Sequence, residues 1–340
     1  MNNSFWKKLN RPYFILAPMA DVTDSAFRQI VLKCGNPRMK RVEQSSHDGK
    51  PDIFYTEFVS TDGLCSEKGR PKLMPHLAFK KNERPIVTQF FGANPENFYK
   101  CAQIAVKLGF DGIDINMGCP DRKVLKQGGG AALILKPELA KEIIRETKRG
   151  ADNLPVSVKT RIGYNKIITE EWISHLIEAK PAAIILHGRT MKEMSKVPAH
   201  WDEIGKAGVL CRKAGIPIIG NGDIFSYKDG LEKAKQYGLD GIMVGRGIFS
   251  NPWFFNPSID PSTKTPKEKI ELLKNHIRLF TELWGNNKNL DVMKKFFKIY
   301  ISGWEGAKEL RTKLMEAKTK EEVIKILTDS PSPTYPRLDQ

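Results

Sequence analysis

The sequence predicts a (β/α)8 TIM barrel followed by a small C-terminal helical domain. Three observations carry that expectation. Eight short apolar or β-branched runs recur along the chain, the stretches between them have helical periodicity, and beyond about residue 255 the strand pattern stops. Strands that alternate with helices imply parallel βαβ units. Eight such units between Tyr13 and Gly247 suit a closed barrel, which typically takes about 250 residues.

The strand runs are 13-YFILAP-18, 52-DIFYTEF-58, 86-IVTQFFG-92, 112-GIDINMG-118, 156-VSVKTRIG-163, 183-AIILHGR-189, 217-PIIGNGD-223 and 241-GIMVGRG-247. Between the third and fourth, 97-NFYKCAQIAVKLG-109 places Ile104, Ala105 and Leu108 on one helix face. A doubly wound open sheet would favour a Gly-x-Gly-x-x-Gly turn after its first strand. Here that strand ends in Ala17-Pro18-Met19, without glycine. Residues 1–255 are therefore assigned to the barrel. The polar stretch 36–52 reads as a surface insertion at its N-terminal face. Residues 256–269 read as a proline-rich linker and 270–328 as the helical domain. Ile270, Leu273, Ile277 and Phe280 mark one apolar face of that domain, and Phe296, Phe297, Tyr300 and Trp304 another. The tail, 329–340, reads as disordered.

The chain has 340 residues with 55 Lys+Arg against 39 Asp+Glu, a formal charge of +16. Such a surface attracts polyanions through counterion release, although a merely solubilising surface has the same charge. Five cysteines, Cys34, Cys65, Cys101, Cys119 and Cys211, show no Cys-x-x-Cys spacing and no His partners. This argues against a disulfide framework and against a metal site. The N-terminus lacks a signal-peptide core, and no run of about 18 apolar residues exists, so the expectation is a cytoplasmic protein with no membrane span.

In a TIM barrel the strand C-termini face the active site. Read in order they carry Pro18 and Met19, Glu57, Gln89, Asn116 with Cys119, Lys159 with Arg161, His187 with Arg189, Asn221 with Asp223, and Gly245 with Arg246. This set is richer in donors than in carboxylates and suits an anionic, electron-rich ligand better than a metal. The loops after strands seven and eight, Asn221-Gly222-Asp223 and Gly245-Arg246-Gly247, match the usual phosphate site of such barrels. Two tight turns that simply need glycine are the structural alternative. Lys159 and His187 suit the negative charge of a reduced isoalloxazine, and Gln89 its pyrimidine edge.

A lone cysteine is more often a small apolar residue than a catalyst. Cys119, however, lies just past strand four in Asn116-Met117-Gly118-Cys119-Pro120, facing the barrel mouth. No neighbouring His or Asp would make it a nucleophile, so a thiol acting as a general acid fits better. The run 128-GGG-130 lacks the Gly-Lys-Ser/Thr ending of a P-loop and reads as a flexible lid.

These residues resemble the tRNA-dihydrouridine synthase family. The resemblance runs from about residue 11 to 328 and rests on 17-APMADVTDSAFR-28, 56-TEFVST-61, 89-QFFG-92, 112-GIDINMGCP-120, 128-GGGAAL-133, 158-VKTRIG-163, 186-LHGRT-190, 217-PIIGNGDI-224 and 244-VGRG-247. The Asn-x-Gly-Cys-Pro element with its downstream glycines is the most specific part. Where the family usually has a Lys-His pair, this chain has Lys295-Phe296. The resemblance implies a TIM-barrel flavoenzyme that reduces the C5=C6 bond of uridine in tRNA to dihydrouridine. It implies FMN as cofactor and NADPH as electron donor, with hydride going to C6 and Cys119 protonating C5. Pro18, Met19, Gln89, Lys159, His187, Asn221, Gly222, Asp223, Gly245 and Arg246 would hold the flavin, while Asn116 and Arg161 would approach the uracil. Lys294, Lys295, Lys298, Lys308, Arg311 and Lys313 would meet tRNA phosphates. The rival reading is an FMN-dependent barrel acting on a free small pyrimidine or an enone, which would need neither the basic balance nor the helical appendage.

Overall fold

The computed structural model describes residues 4–35 and 49–329. Most of the expected insertion, 36–48, and all but the first residue of the expected tail, 330–340, lie outside the described residues. Two compact units make up the chain. One comprises Met1–Asp24 and Pro51–Gly247, the other Ser25–Lys50 and Ile248–Gln340.

The first unit is the barrel. Its strands are β1 (Tyr13–Leu16), β2 (Phe54–Ser60), β3 (Ile86–Phe91), β4 (Gly112–Met117), β5 (Val156–Arg161), β6 (Ile184–His187), β7 (Ile218–Asn221) and β8 (Gly241–Val244). Each falls on one of the eight runs seen in the sequence. They pair in the order β1-β8-β7-β6-β5-β4-β3-β2, all parallel. A parallel bridge between Ile15 and Ile53, the residue before β2, joins the two ends of that order. Parallel strands need long crossovers, and the intervening helices supply them. The helix Pro95–Leu108 starts on the Asn94 side chain, which accepts from Glu96 N–H, and stops at Gly109 in the left-handed region (φ 75°). Its buried face is Phe98, Cys101, Ala102 and Ala105, so the stripe expected from Ile104, Ala105 and Leu108 is rotated about the helix axis.

Strand side chains alternate between barrel interior and exterior with period two. Tyr13, Ile15, Ala17, Ile53, Tyr55, Val87, Ala183, Ile185, Ile219 and Met243 form one buried cluster with Trp6. Trp6 comes from the short turn Phe5–Lys7, its ring 5.8 Å from that of Tyr13. This turn plugs the N-terminal end of the barrel, where the sequence alone suggested nothing. The same alternation on β3, β4 and β5 puts Gln89, Asp114, Asn116, Ser157 and Lys159 inward. Part of the interior is therefore polar, and it must be satisfied internally.

In the second unit the helix Ser25–Cys34 groups with the C-terminal helices rather than with the barrel to which residues 1–255 had assigned it. Phe27 packs 5.3 Å from Phe296 and 5.6 Å from His276, ring to ring. The long helix begins at Pro266, not Ile270. Thr265 and Glu268 form a capping box and Pro266 occupies the first turn, so part of the stretch read as linker is a helix start. Asp291–Lys294, Phe297–Tyr300, Ala307–Glu316 and Lys320–Asp329 follow as shorter helices. Phe296, at the site of the family departure, is 2% exposed and meets His276 edge-on at 4.7 Å. Burial pushes the His276 imidazole down to about 3, so it is neutral, and its Nδ1 lies 3.0 Å from the Tyr300 hydroxyl. Residue 296 is thus a core position here, where an aromatic ring gains more from packing than a polar side chain would.

Candidate active site

The strand C-termini of the first unit surround a cavity of about 320 Å³, near the lower end of the range for small-ligand sites. Pro18 and Met19 line it from the end of β1, Pro120 from the β4 loop, and Lys159 and Arg161 from β5. His187 and Arg189 line it from β6, Asn221, Gly222 and Asp223 from β7, and Gly245 and Arg246 from β8. Nine of the ten residues assigned to the cofactor from sequence, all but Gln89, are brought to one cavity, as is Arg161.

Gln89 and Asn116 are buried beside that cavity rather than lining it. Gln89 Nε2 donates to Asp114 Oδ2 at 2.7 Å, and Gln89 Oε1 accepts from Asn116 Nδ2 at 3.0 Å. Asn116 Oδ1 in turn accepts from the backbone N–H groups of Gly118 (3.1 Å) and Cys119 (2.9 Å). Arg161 donates from Nε to Gly118 O at 2.6 Å and from Nη1 to Thr190 O and Met194 O, both 3.2 Å. It therefore ties the Cys119 loop to the loop after β6 while presenting to the cavity. Glu57, expected at the end of the second strand, sits in the middle of β2, where it accepts from Asp21 N–H and lies 2.9 Å from His76 Nδ1, so it braces the loop after β1.

Four cationic side chains, Lys159, Arg161, Arg189 and Arg246, converge on the cavity. The carboxylate among its lining residues is Asp223. Asp223 is shared: Arg189 and Arg246 both donate to it, the latter at 3.3 Å, and Ala199 N–H donates at 2.9 Å. With its carboxylate so occupied, Asp223 holds the two guanidinium groups rather than meeting a phosphate itself. Lys159 is partly buried, and that burial followed by the nearby Arg161 pushes its ammonium down to about 8. Its Nζ donates to Asn221 Oδ1 at 3.1 Å, and Asn221 Nδ2 donates to Met243 O at 2.8 Å. Burial and the surrounding Arg161, Lys159, Arg189 and Arg246 hold His187 well below its usual range. His187 is thus a neutral imidazole, able to offer one N–H but no charge. The electrostatic task falls to the lysine and the arginines.

Cys119 is a free, half-buried thiol next to Pro120. Burial raises its pKa above the ordinary thiol value, only partly offset by a hydrogen bond from the Asp121 backbone and by Arg161 and Lys159. A thiol so raised is protonated at neutral pH, which suits a proton donor and not a thiolate nucleophile. The glycine run after it is packed, not a lid. Gly129 lies against Gly92, and Gly130 has φ 58°, with a Cβ there falling 2.7 Å from Cys119 O and 3.2 Å from Cys119 Cβ. Gly130→Ala is therefore expected to cost about 2 kcal/mol in stability through left-handed backbone strain and to push the Cys119 loop outward. Urea unfolding checks the first effect. An unchanged midpoint would show that the loop yields freely.

Arg189 was visible at the sixth strand end but not singled out. Met194, Ser195, Ile224 and Phe225 also reach the cavity from loops, and no residue pattern marked them. Among the described residues no group of three or more His, Cys, Asp or Glu side chains is arranged to hold a metal ion.

Comparison with known proteins places the chain. The family model described as "Dihydrouridine synthase (Dus)" matches residues 15–332. The chain belongs to the dihydrouridine synthase family. Its similarity to "Probable tRNA-dihydrouridine synthase" of Staphylococcus aureus (strain COL) is 42% identity, covering 97% of this chain and 96% of that one. Its similarity to "Probable tRNA-dihydrouridine synthase 2" of Bacillus subtilis (strain 168) is 41%, covering 97% of each. Among solved structures, a histamine dehydrogenase from Rhizobium sp. 4-9 shares the fold at TM-score 0.53 and 14% identity. The match covers 78% of this chain and 49% of that longer one. In this dihydrouridine synthase family member the Asn116-Met117-Gly118-Cys119-Pro120 segment lies beside a cation-lined cavity, with Pro120 among its lining residues.

Proposed function

We propose that this dihydrouridine synthase family member reduces the C5=C6 bond of uridine in tRNA, with Cys119 as the proton donor and FMN as the cofactor, reduced by NADPH. The observation that carries the reading is the placement of a half-buried free thiol, its loop held by Asn116 and Arg161, beside a cavity lined by four cations, two of which share the Asp223 carboxylate.

The residues present fit a flavin mononucleotide. Gly222 has φ 130°, and a Cβ there would fall 2.8 Å from Ala199 Cβ, so only glycine keeps that turn of the β7 loop open. At Gly245 a Cβ would approach no atom closer than 3.8 Å, which leaves the backbone accessible to a ligand. Arg246, whose side chain is 55% exposed, is the cation best placed to bond a phosphate bidentately. Lys159, Asn221 and His187 would meet the polar edge of the ring system, and Pro18 and Met19 its face. The chemistry a bound flavin supplies is delivery of hydride to C6 of uracil.

The C4 carbonyl of uracil stabilises the enolate left when C6 is reduced. Carbon C5 then takes a proton from Cys119 Sγ, and the thiolate regains one from water. Arg161 and Lys159, both close enough to favour the thiolate, lower the cost of that transfer. A base in folded tRNA reaches a barrel mouth only when flipped from its stack, at a cost of a few kcal/mol.

The excess of 55 basic over 39 acidic residues supports a polyanionic substrate, and the reading places the protein in the cytoplasm, where tRNA resides. Among the described residues no helix is long and apolar enough to cross a membrane. The helical unit is proposed as a tRNA platform. Of its basic residues, Lys294 is paired with Asp291 at 2.7 Å and Arg311 donates to Ile301 O at 2.6 Å, so these two serve the unit's own structure. Lys298, Lys308 and Lys313 are the better candidates for phosphates.

The test is reconstitution with FMN, NADPH and tRNA free of dihydrouridine, with the product nucleoside measured by mass spectrometry. Dihydrouridine should form in tRNA and not from free uridine. Reduction of a free pyrimidine, with tRNA inert, would overturn the assignment. Binding of tRNA should weaken by roughly 10³-fold or more between low and physiological salt, as counterion release at six or more phosphate contacts requires. A flat salt dependence would remove the electrostatic part of the reading.

A further inference from the structure

Beneath the cavity lies a carboxylate that the proposed chemistry does not use. Asp114 is the central inward residue of β4, 0% exposed, in register with Gln89 of β3 and Ser157 of β5. Its two oxygens have different partners. Oδ1 accepts from Ser157 Oγ at 2.6 Å, and Oδ2 accepts from Gln89 Nε2 at 2.7 Å. From Oδ2 a continuous chain runs through the Gln89 and Asn116 amides to the Gly118 and Cys119 N–H groups.

The chain has a direction. At one end stands an acceptor, the carboxylate oxygen. At the other stand two backbone donors. Each amide between them carries a donor end and an acceptor end, so only one orientation of both satisfies every link. Turning either amide over would set donor against donor or acceptor against acceptor inside the barrel, where an unmade hydrogen bond is destabilising. With Asp114 replaced by an apolar residue, Gln89 loses the partner that decides its orientation, Asn116 loses its reason to face Oδ1 outward, and the Cys119 loop loses two of its tethers.

We propose that Asp114 is a positioning residue, which through Gln89 and Asn116 sets the place of the Cys119 backbone and with it the direction of the thiol. The structural part stands on the hydrogen bonds alone. The consequence for turnover rests on the reading of Cys119 as the proton donor.

Backbone hydrogen exchange of the flavin-free full-length protein tests the relay without any catalytic assay. Asp114→Val keeps the strand and the approximate volume but removes the acceptor. It should speed exchange at the Gly118 and Cys119 amides at least tenfold while distant strands keep wild-type protection. Asp114→Asn can still accept from Gln89 and donate to Ser157, so it should restore slow exchange. Ser157→Ala disturbs the other oxygen of the same carboxylate and should leave those amides unchanged. Gln89→Met breaks the relay one link further on and should reproduce the Asp114→Val pattern, so it carries the test if Asp114→Val does not fold. Wild-type exchange in a folded Asp114→Val or Gln89→Met protein overturns the proposal, as does failure of Asp114→Asn to restore protection. In the loaded enzyme, Asp114→Val should slow flavin reoxidation by tRNA roughly tenfold or more but not flavin reduction by NADPH. Accelerated exchange in a protein whose wild type does not act on tRNA would sink the functional reading and leave the relay standing.

Discussion

Cys119→Ala should leave FMN content and flavin reduction by NADPH intact while lowering dihydrouridine formation by roughly 10²–10⁴-fold, the usual worth of a general acid. The loop loses the hydrogen bond from the Asp121 backbone to the thiol, but Asn116 and Arg161 still hold it through backbone atoms, which alanine retains. Serine should not rescue the activity, because an alcohol is a far weaker acid than a thiol. The pH profile separates this role from a packing role. A general acid works only while protonated, so the wild-type rate falls as pH rises through the thiol pKa. Burial moves that fall above the ordinary thiol value of about 8.5. Lys159, pushed down to about 8, contributes a separate and earlier loss of charge. In Cys119→Ala the earlier limb should persist and the later one vanish. Single-turnover reoxidation of the reduced enzyme by tRNA is the measurement. A wild-type rate in Cys119→Ala would place the acid elsewhere.

Asp223→Ala and Arg246→Ala should separate stability from affinity, although both remove a group from the same cluster. Arg189 is 2% exposed, and its Nη2 donates to Asp223. Without that carboxylate a buried guanidinium is left uncompensated, and such losses cost about 3–5 kcal/mol. The urea midpoint of Asp223→Ala should fall accordingly, with or without flavin. The Arg246 side chain is half exposed and meets Asp223 only at 3.3 Å. Its loss should scarcely move the midpoint of the flavin-free protein but should weaken FMN binding by roughly 10–100-fold, the worth of a charge-assisted pair. The affinity of riboflavin, which lacks the phosphate, should not change. Equal loss of riboflavin and FMN binding would mean that Arg246 does not serve the phosphate.

Much of the site was readable in the chain because of one regularity. A parallel barrel aims its strand ends at a common mouth, so residues far apart in sequence share a site once the strands are counted correctly. Pro18, Met19, Lys159, His187, Asn221, Gly222, Asp223, Gly245 and Arg246 were found in this way. Roles were less legible than places. Asp223 reads as a ligand to the cofactor until its two arginine partners are seen, and His187 reads as a possible cation until its burial among four cations makes it neutral. Arg161, expected at the uracil, also proves to be a tie between two loops.

Sequence alone determined the eight parallel strands, the pattern of strand-end polar residues and the distinctive cysteine element, because alternation, spacing and short motifs are local properties that survive without coordinates. Tertiary structure decided what depends on partners from distant segments. It showed that the helix Ser25–Cys34 belongs with the C-terminal helices, since the ring contacts of Phe27 come from residues some 250 positions away. It turned the glycine run from an expected lid into packing beneath Cys119, because only the close approach of Gly129 to Gly92 reveals why side chains are excluded there. It also linked Asp114 to Cys119. A carboxylate in the middle of an inward-facing strand is visible in 112-GIDINMG-118, but the direction of a hydrogen-bonded chain exists only once both of its ends are placed.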